Sequence, residues 1–308
     1  MITTIITILG LMVLEVVQSV DNAIVNAHIL QTMSEKARRW FLVWGIFFAV
    51  FVVRGILPFL IVWLVSPGIT FSGVLSATLG NNDIAKLAME ESAYILLTGG
   101  GMFLLLLYLH WLFLEKKDPY FVAEKWVKEQ HGVWFFALAA VLLVGVMWIL
   151  RDHPFGMIAA ATGNAVFFIL HGFKEIAERE ETKIAGASSD IAKLAFLEVL
   201  DLSFSIDGVL GAFAFTTNVM LILIGNGLGA FVVRELTIRG IDKISKYKWL
   251  KNGAMTSIGA LGLIMILDAL GVNIPSWLPT VITIGTVGVT FYASHKHLRN
   301  KLDPSASG

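Results

Sequence analysis

Between Leu14 and Ala27 the chain reads LEVVQSVDNAIVNA, so Glu15, Gln18, Ser19, Asp21, Asn22 and Asn26 stand inside a run that is otherwise apolar. A second such run, Glu198-Val199-Leu200-Asp201 followed by LSFSIDGV (202–209), carries Glu198, Asp201, Ser205 and Asp207. The oxygens on offer are carboxylate, amide and hydroxyl, and the chain has no cysteine. Hard divalent cations such as Mg²⁺, Ca²⁺ or Mn²⁺ select that donor set. A carboxylate in hydrocarbon costs roughly 3 kcal/mol by insertion scales and more by simulation. That cost favours function over structure for Glu15, Asp21, Asp201 and Asp207. For Gln18, Ser19 and Ser205, bonding between helices is an equal alternative.

At 100° per residue, Glu15, Ser19, Asn22 and Asn26 form one stripe within about 60°, with Gln18 at its border and Asp21 about 120° away. Glu198, Asp201 and Ser205 share a face in the second run, and Asp207 falls off it by the same angle. The repeated offset points to local unwinding, for which Gly208 and Gly211 offer a place, or to a second polar partner at each Asp. These carboxylates exceed what one divalent ion neutralises. Arg54 and Arg234 are the candidate charge-balancing groups, and structural counter-ions or snorkelling are their plainer readings. Protons are the other option, because crowded carboxylates in a low dielectric retain them when a metal leaves. Metal/proton exchange needs that property.

The two runs are copies. Glu15-x3-Ser19-Val20-Asp21-Asn22 aligns without gaps to Asp201-x3-Ser205-Ile206-Asp207-Gly208. FVVR follows each, at 51–54 and 231–234, with Gly45 and Gly225 nine residues before the Arg. An odd number of spans separates the copies, so the second crosses in the opposite sense. This is an inverted-topology repeat, the plan that places substrate near the midplane at the repeat interface. Glu15 lies about 16–18 Å from the outer end of its helix and Asp201 about 14 Å from the inner end of its own.

The elements that must position these groups are membrane spans. Of 308 residues 56% are hydrophobic and 15% charged, with net charge zero and a mean hydropathy of +0.77. A soluble domain has about 25% charged residues, and zero net charge leaves no electrostatic case for nucleic acid. Nine spans are expected: 3–31, 40–65, 93–114, 133–150, 154–172, 192–217, 219–238, 254–271 and 277–294. Basic residues cluster after the first, third, fifth, seventh and ninth, and the intervening loops hold almost none. By the positive-inside rule the N-terminus is outside and the C-terminus cytoplasmic, in the plasma membrane. The first span lacks a basic n-region and is read as retained, not as a signal peptide.

The expected class is therefore all-α, one transmembrane domain over 1–302. Repeat one covers 1–114, intervening helices 115–190, repeat two 191–271 and the last helix 277–294, with a disordered tail at 303–308. The outer loop 66–92 is read as amphipathic or re-entrant and the inner loop 119–132 as an interfacial helix. His110 and His171 each end an inward-running span. His171-x3-Glu175-x2-Glu178 has metal-ligand spacing but more often marks a solvated helix end. Asp268 is read as solvated near an outer helix end. Asn226, in IGNGLG, either lines the site or accompanies close glycine packing.

The motif ELxD-like Glu198–Asp201 with LSFSIDGV resembles the second acidic motif of the TerC family of integral membrane proteins, named for tellurium resistance. LEVVQSVDNAIVNA looks like that family's first motif. With RWFLVWGIFFAVFVVRG (39–55), the chain looks most like a branch catalogued only as a domain of unknown function, over about residues 10–300. The resemblance implies the LysE-type transporter superfamily and divalent metal export, chiefly manganese, with calcium for relatives. Carried over by position, it implies Glu15, Asp21, Asp201 and Asp207 as metal-binding acids and Asn22 beside the first Asp. Gly208 departs from the usual Ser, and Gln18-Ser19 from a small apolar pair, which bears on metal preference.

The expectation is an exporter of Mn²⁺ or Ca²⁺ by proton-coupled alternating access, not an enzyme, with no tightly bound cofactor. Glu15, Asp21, Asn22, Asn26, Glu198, Asp201, Ser205 and Asp207 hold the ion, while Arg54 and Arg234 balance charge. The partners are the ion and the bilayer; nucleic acid is excluded and a homo-oligomer is left open. The rivals are a non-transporting scaffold for membrane-protein assembly or metallation, and an intramembrane aspartyl hydrolase.

Overall fold

The computed structural model describes residues 2–45, 48, 54–66, 68–79, 83–127, 132–186, 189–239 and 246–302. Some side chains within its helices, those of Asp21, Asn22, Glu178 and Arg234 among them, lie outside the described residues, as do the tail 303–308 and FVV (51–53). What is described is helical, with no strand among the described residues.

The helices are α1 (Ile2–Gln31), α2 (Glu35–Trp40), α3 (Arg54–Val65), α4 (Phe71–Thr78), α5 (Asp83–Glu91), α6 (Ala93–Leu114) and α7 (Val122–Trp126). They continue with α8 (Gly132–Ile149), α9 (Pro154–Ala185), α10 (Asp190–Ala212), α11 (Val219–Arg239), α12 (Leu250–Ala269) and α13 (Leu278–Leu302). A π-helical turn, Phe41–Gly45, follows α2 directly. Each of the nine expected segments contains a helix. Among the described residues, windows in α1, α6, α8, α9 and α12 are long and apolar enough to cross a bilayer unaided. α3 and the Val219–Val233 part of α11 are shorter apolar helices.

α6 and α12 form the centre and pack on each other. Lipid tails are as apolar as leucine, so helices in a bilayer gain by close backbone approach, which small residues permit. That is how α6 meets its neighbours. A Cβ on Gly163 of α9 would stand 2.1 Å from the Gly99 carbonyl oxygen, and one on Gly101 would stand 3.0 Å from that of Gly262. Around this seam Met102, Phe103, Leu104, Leu106, Phe167, Leu261 and Met265 are fully buried. α8 does the reverse: Val133, Trp134, Phe136, Val141 and Trp148 are exposed along it, a surface suited to lipid rather than water.

The pairings of the outer helices are reciprocal. α1 packs on α11, α10 and α12, and α10 packs on the π-turn, α3, α1 and α6. At one end of the bundle, Ser34 caps α2 and its hydroxyl and amide both donate to Asp190 at the start of α10. Lys193 reaches back from α10 to the Thr32 carbonyl at 2.8 Å, satisfying an orphan acceptor just beyond the end of α1. Under this junction Ile29, Leu30, Met33, Phe41 and Leu197 make a separate apolar cluster.

The segment after α6 is pinned rather than loose. Lys117 donates to the Trp111 and Leu112 carbonyls at 2.8 and 2.6 Å, closing the C-terminus of α6. Burial holds its ammonium below the usual lysine range. Lys251 of α12 pairs with Glu115 at 2.7 Å. Glu124 accepts from the Tyr120 and Phe121 amides and from Asn252, which ties the segment to α12. The interfacial helix expected over 119–132 is thus reduced to the short α7, with Trp126 exposed, and 128–131 lie outside the described residues. The loop 66–92 holds α4 and α5.

Candidate functional site

α1 needs no break to present its oxygens, because its stripe has the helical period. Glu15, Ser19 and Asn26 are 2%, 5% and 8% exposed, all on the face turned to α10 and α11. From α10 come Asp201 and Ser205, 5% and 1% exposed. The two helices are joined by one cation.

Arg54, the first residue of α3, pairs its guanidinium with Glu15. Its Nη2 donates to Ser19 Oγ at 3.3 Å and its Nε to Ser205 Oγ at 3.2 Å. Each serine in turn donates to its own acidic residue. Ser19 bonds the Glu15 carboxylate at 2.7 Å, and Ser205 bonds the Asp201 backbone carbonyl at 2.6 Å. The Asp201 carboxylate is close enough to act on the Arg54 charge. It also accepts from Asn26 Nδ2 at 2.9 Å, a second link from α1 to α10. The matched serines of the two sequence copies therefore sit on one guanidinium.

Glycines set the approach. A Cβ on Gly208 would stand 3.3 Å from Glu15 Oε2 and 3.5 Å from Gln18 Oε1, so α1's polar face lies directly on α10 at this glycine. A Cβ on Gly229 of α11 would stand 2.6 Å from the Glu15 Cβ, and one on Gly45 would stand 2.6 Å from Glu198 Oε1. Gly225 meets Leu11 in the same manner.

Several buried polar atoms around this cluster have no hydrogen-bond partner among the described residues. They are both amide atoms of Gln18 and of Asn226, Oδ1 of Asn26 and Oε1 of Glu198. Asn226 is 3% exposed and lies one turn before Gly229 on α11. Each such atom costs about 1–3 kcal/mol. Four of them are oxygens, the atom type a hard cation takes.

Of the four carboxylates expected to share one cage, the helices bring Glu15 and Asp201 to one cluster and turn Asp207 away from it, while the side chain of Asp21 lies outside the described residues. α10 runs unbroken from Asp190 to Ala212, so no unwinding at Gly208 or Gly211 swings Asp207 onto the Asp201 face. The 100° rotation per residue holds, and Asp207 looks the other way, into a small cavity shared with His171 and Lys174 of α9. A second polar neighbourhood, not a helix break, accounts for the offset. Among the described residues no three of His, Asp and Glu converge closely enough to hold a metal by themselves. Asp21, Asn22 and Arg234, the remaining predicted site residues, have side chains outside the described residues.

His110 and His171 meet each other, ring centroids 3.6 Å apart, with His171 stacked on Phe167. Their positions at the ends of two inward-running spans were the available signal. Beside Asn226, Gly225 and Gly229 pack on α1, and the Asn226 amide has no hydrogen-bond partner among the described residues.

Comparison with known proteins places the chain at the level of a family. A stretch of 99 residues is 33% identical to the uncharacterized membrane protein YceF of Bacillus subtilis (strain 168), covering 32% of this chain. The match spans 38% of that protein's length. No solved structure matches. The apolar helices and this relative make the chain a membrane protein. The family described as "Protein of unknown function (DUF475)" matches residues 20–301, and the chain belongs to it.

Proposed function

We propose that this protein carries a divalent cation, Mn²⁺ or Ca²⁺, across the membrane by alternating access around the Glu15–Arg54–Asp201 cluster. The observation that carries the reading is the group of buried oxygens without partners among the described residues, Gln18 Oε1, Asn26 Oδ1, Glu198 Oε1 and Asn226 Oδ1, set about two buried carboxylates. A hard cation takes six to eight such oxygens, its own waters included. Arg54 occupies the cation's electrostatic role when no substrate is bound; a divalent ion that takes Glu15 displaces it toward the two serines. The surplus carboxylate charge makes a proton the natural counter-substrate.

The nine-span, inverted-repeat reading is part of this proposal. It is supported by the reciprocal pairing of α1 with α11 and of α10 with α3. It is also supported by which segments touch. Ser34 meets Asp190, Glu115 meets Lys251 and Asp118 meets Lys248, all segments the basic-residue pattern assigns to the cytoplasmic side. Thr280 meets the Ile6 carbonyl, and 66–92 share a cavity with 217–219, segments assigned outside. The resemblance to the TerC family points the same way. An enzymatic reading has no observation of its own: Glu15 pairs with Arg54, and the Asp201 carboxylate accepts from Asn26.

The test is metal flux in proteoliposomes with an imposed pH gradient. Glu15→Gln and Asp201→Asn are expected each to lower Mn²⁺ flux at least about a hundredfold, the scale of about 3 kcal/mol lost with a charged ligand. Both proteins should still elute monodisperse. Flux at the wild-type rate in both variants overturns the reading.

A further inference from the structure

Between the exposed Ser34–Asp190 junction and the buried cluster, α1 and α10 carry matched apolar residues. Asn26 of α1 donates to Asp201 of α10 at 2.9 Å. Leu30 follows Asn26 by four residues and Leu197 precedes Asp201 by four. The helices run in opposite directions here, so both leucines lie one turn, about 6 Å, from that bond and on its face. They meet there, 6% and 0% exposed, in one apolar cluster with Ile29, Met33 and Phe41.

Beyond this layer the polar contacts resume. Lys193 donates to the Thr32 carbonyl, and Arg38 donates to the Leu30 and Met33 carbonyls at 3.0 and 3.3 Å. Ser34 then bonds Asp190 at the exposed end. From the surface to the buried site, the order along both helices is polar, apolar, polar.

Two observations separate this layer from ordinary core. The first is what lies directly behind it. Asn26 Oδ1 and Glu198 Oε1 are closed to solvent and have no hydrogen-bond partner among the described residues. Such oxygens gain from any water that reaches them, so what covers them has a consequence. The second is that the layer is a cluster of its own, whereas Leu11, Leu14, Phe213 and Phe215, toward the other end of α1, belong to the main core. Phe41, its largest member, stands on the π-helical turn, a form that helices keep mostly at functional sites. Gly45 of the same turn lies against Glu198.

We propose that Ile29, Leu30, Met33, Phe41 and Leu197 form the gate of the ion path on the side rich in basic residues, closed in this structure and opened when Phe41 and Leu197 part. An apolar constriction gates by dewetting, because a hydrated ion passing it would shed waters with no oxygen to replace them. Parting the layer brings water to Glu198 and Asn26 first and to Asp201 next. The gate deepens the transport reading and rests on it.

The experiment uses a thiol reporter, since the chain has no native cysteine. Asn26→Cys places the thiol directly behind the layer. A membrane-impermeant cationic methanethiosulfonate is then applied to inverted and to right-side-out vesicles holding the full chain. Adding Phe41→Ala/Leu197→Ala is expected to speed labelling about tenfold in inverted vesicles, the shift that about 1.4 kcal/mol off the closed state produces. In right-side-out vesicles the rate is expected to stay that of the reporter alone. Leu30→Asn, which wets the layer at similar volume, is expected to act in the same way and serves where the double variant fails to fold. An unchanged rate in inverted vesicles overturns the gate. Equal acceleration from both faces, the mark of a loosened fold, overturns it as well. Mn²⁺ flux is read separately in the chain without the reporter. A gate overturned while Glu15→Gln still stops flux leaves the transport reading standing. One-sided acceleration in a chain that carries no Mn²⁺ upholds the constriction and removes the transport reading.

Discussion

The guanidinium of Arg54 has five donors and meets a carboxylate and a hydroxyl of α1, 39 and 35 residues away in sequence, and a hydroxyl of α10, 151 residues away. Removing one partner of a buried pair leaves an uncompensated charge and costs about 3–5 kcal/mol. Arg54→Gln is therefore expected to lower the melting temperature in detergent sharply, and Glu15→Gln added to it to recover most of the loss. A double-mutant cycle reads the coupling directly, and additive losses would remove the pair from the stability account. Mn²⁺ should raise the melting temperature of Arg54→Gln more than that of wild type, because the ion then meets a carboxylate without a competitor. Much of this site was legible beforehand, since Glu15, Ser19 and Asn26, like Asp201 and Ser205, follow from helical spacing alone. What spacing cannot show is which cation sits between them. Arg54 has no periodic relation to either stripe, and only the folded arrangement makes it common to both.

At the scale of elements, the apolar runs located the helices because hydrocarbon demands internally bonded backbone. The same rule explains why, of the two alternatives at Asp207, the helix break at Gly208 is not the one α10 adopts. A glycine in a membrane helix signals either a break or a close neighbour, and the sequence does not distinguish them. Here the neighbour is Glu15 with Gln18. The junction of α2 with α10 was also invisible, since it depends on one cap residue, Ser34, finding Asp190. Those two bonds, from the Ser34 hydroxyl first and its amide second, hold the Asp190 carboxyl below the usual carboxylate range. The sign follows: a depressed folded value contributes stability above the unfolded pKa, and the contribution is lost as pH falls through the folded one. Hydrogen exchange of the 32–35 amides should thus stay slow from pH 7 down to about 4, the reference Asp range, and quicken below it. Asp190→Asn should exchange fast throughout, and identical profiles for the two proteins would show that the cap carries no such role.

For the whole molecule, the proposed alternating access requires that the Ser34–Asp190 junction open in some part of the cycle. The chain has no native cysteine, so Ser34→Cys with Asp190→Cys introduces a single defined pair. Oxidation is expected to stop Mn²⁺ flux and reduction to restore it, whereas each single variant transports. Undiminished flux through the oxidised protein would mean that this end does not gate. The glycine seam carries a different mechanical meaning. Where the backbone of α6 lies directly on those of α9 and α12, no side chain intervenes to change rotamer and give way. Sliding there drives main chain into main chain. In the transport cycle proposed above, those three helices form the stator, and displacement falls to the polar, exchangeable contacts between α1 and α10, which turn against a frame that keeps its shape.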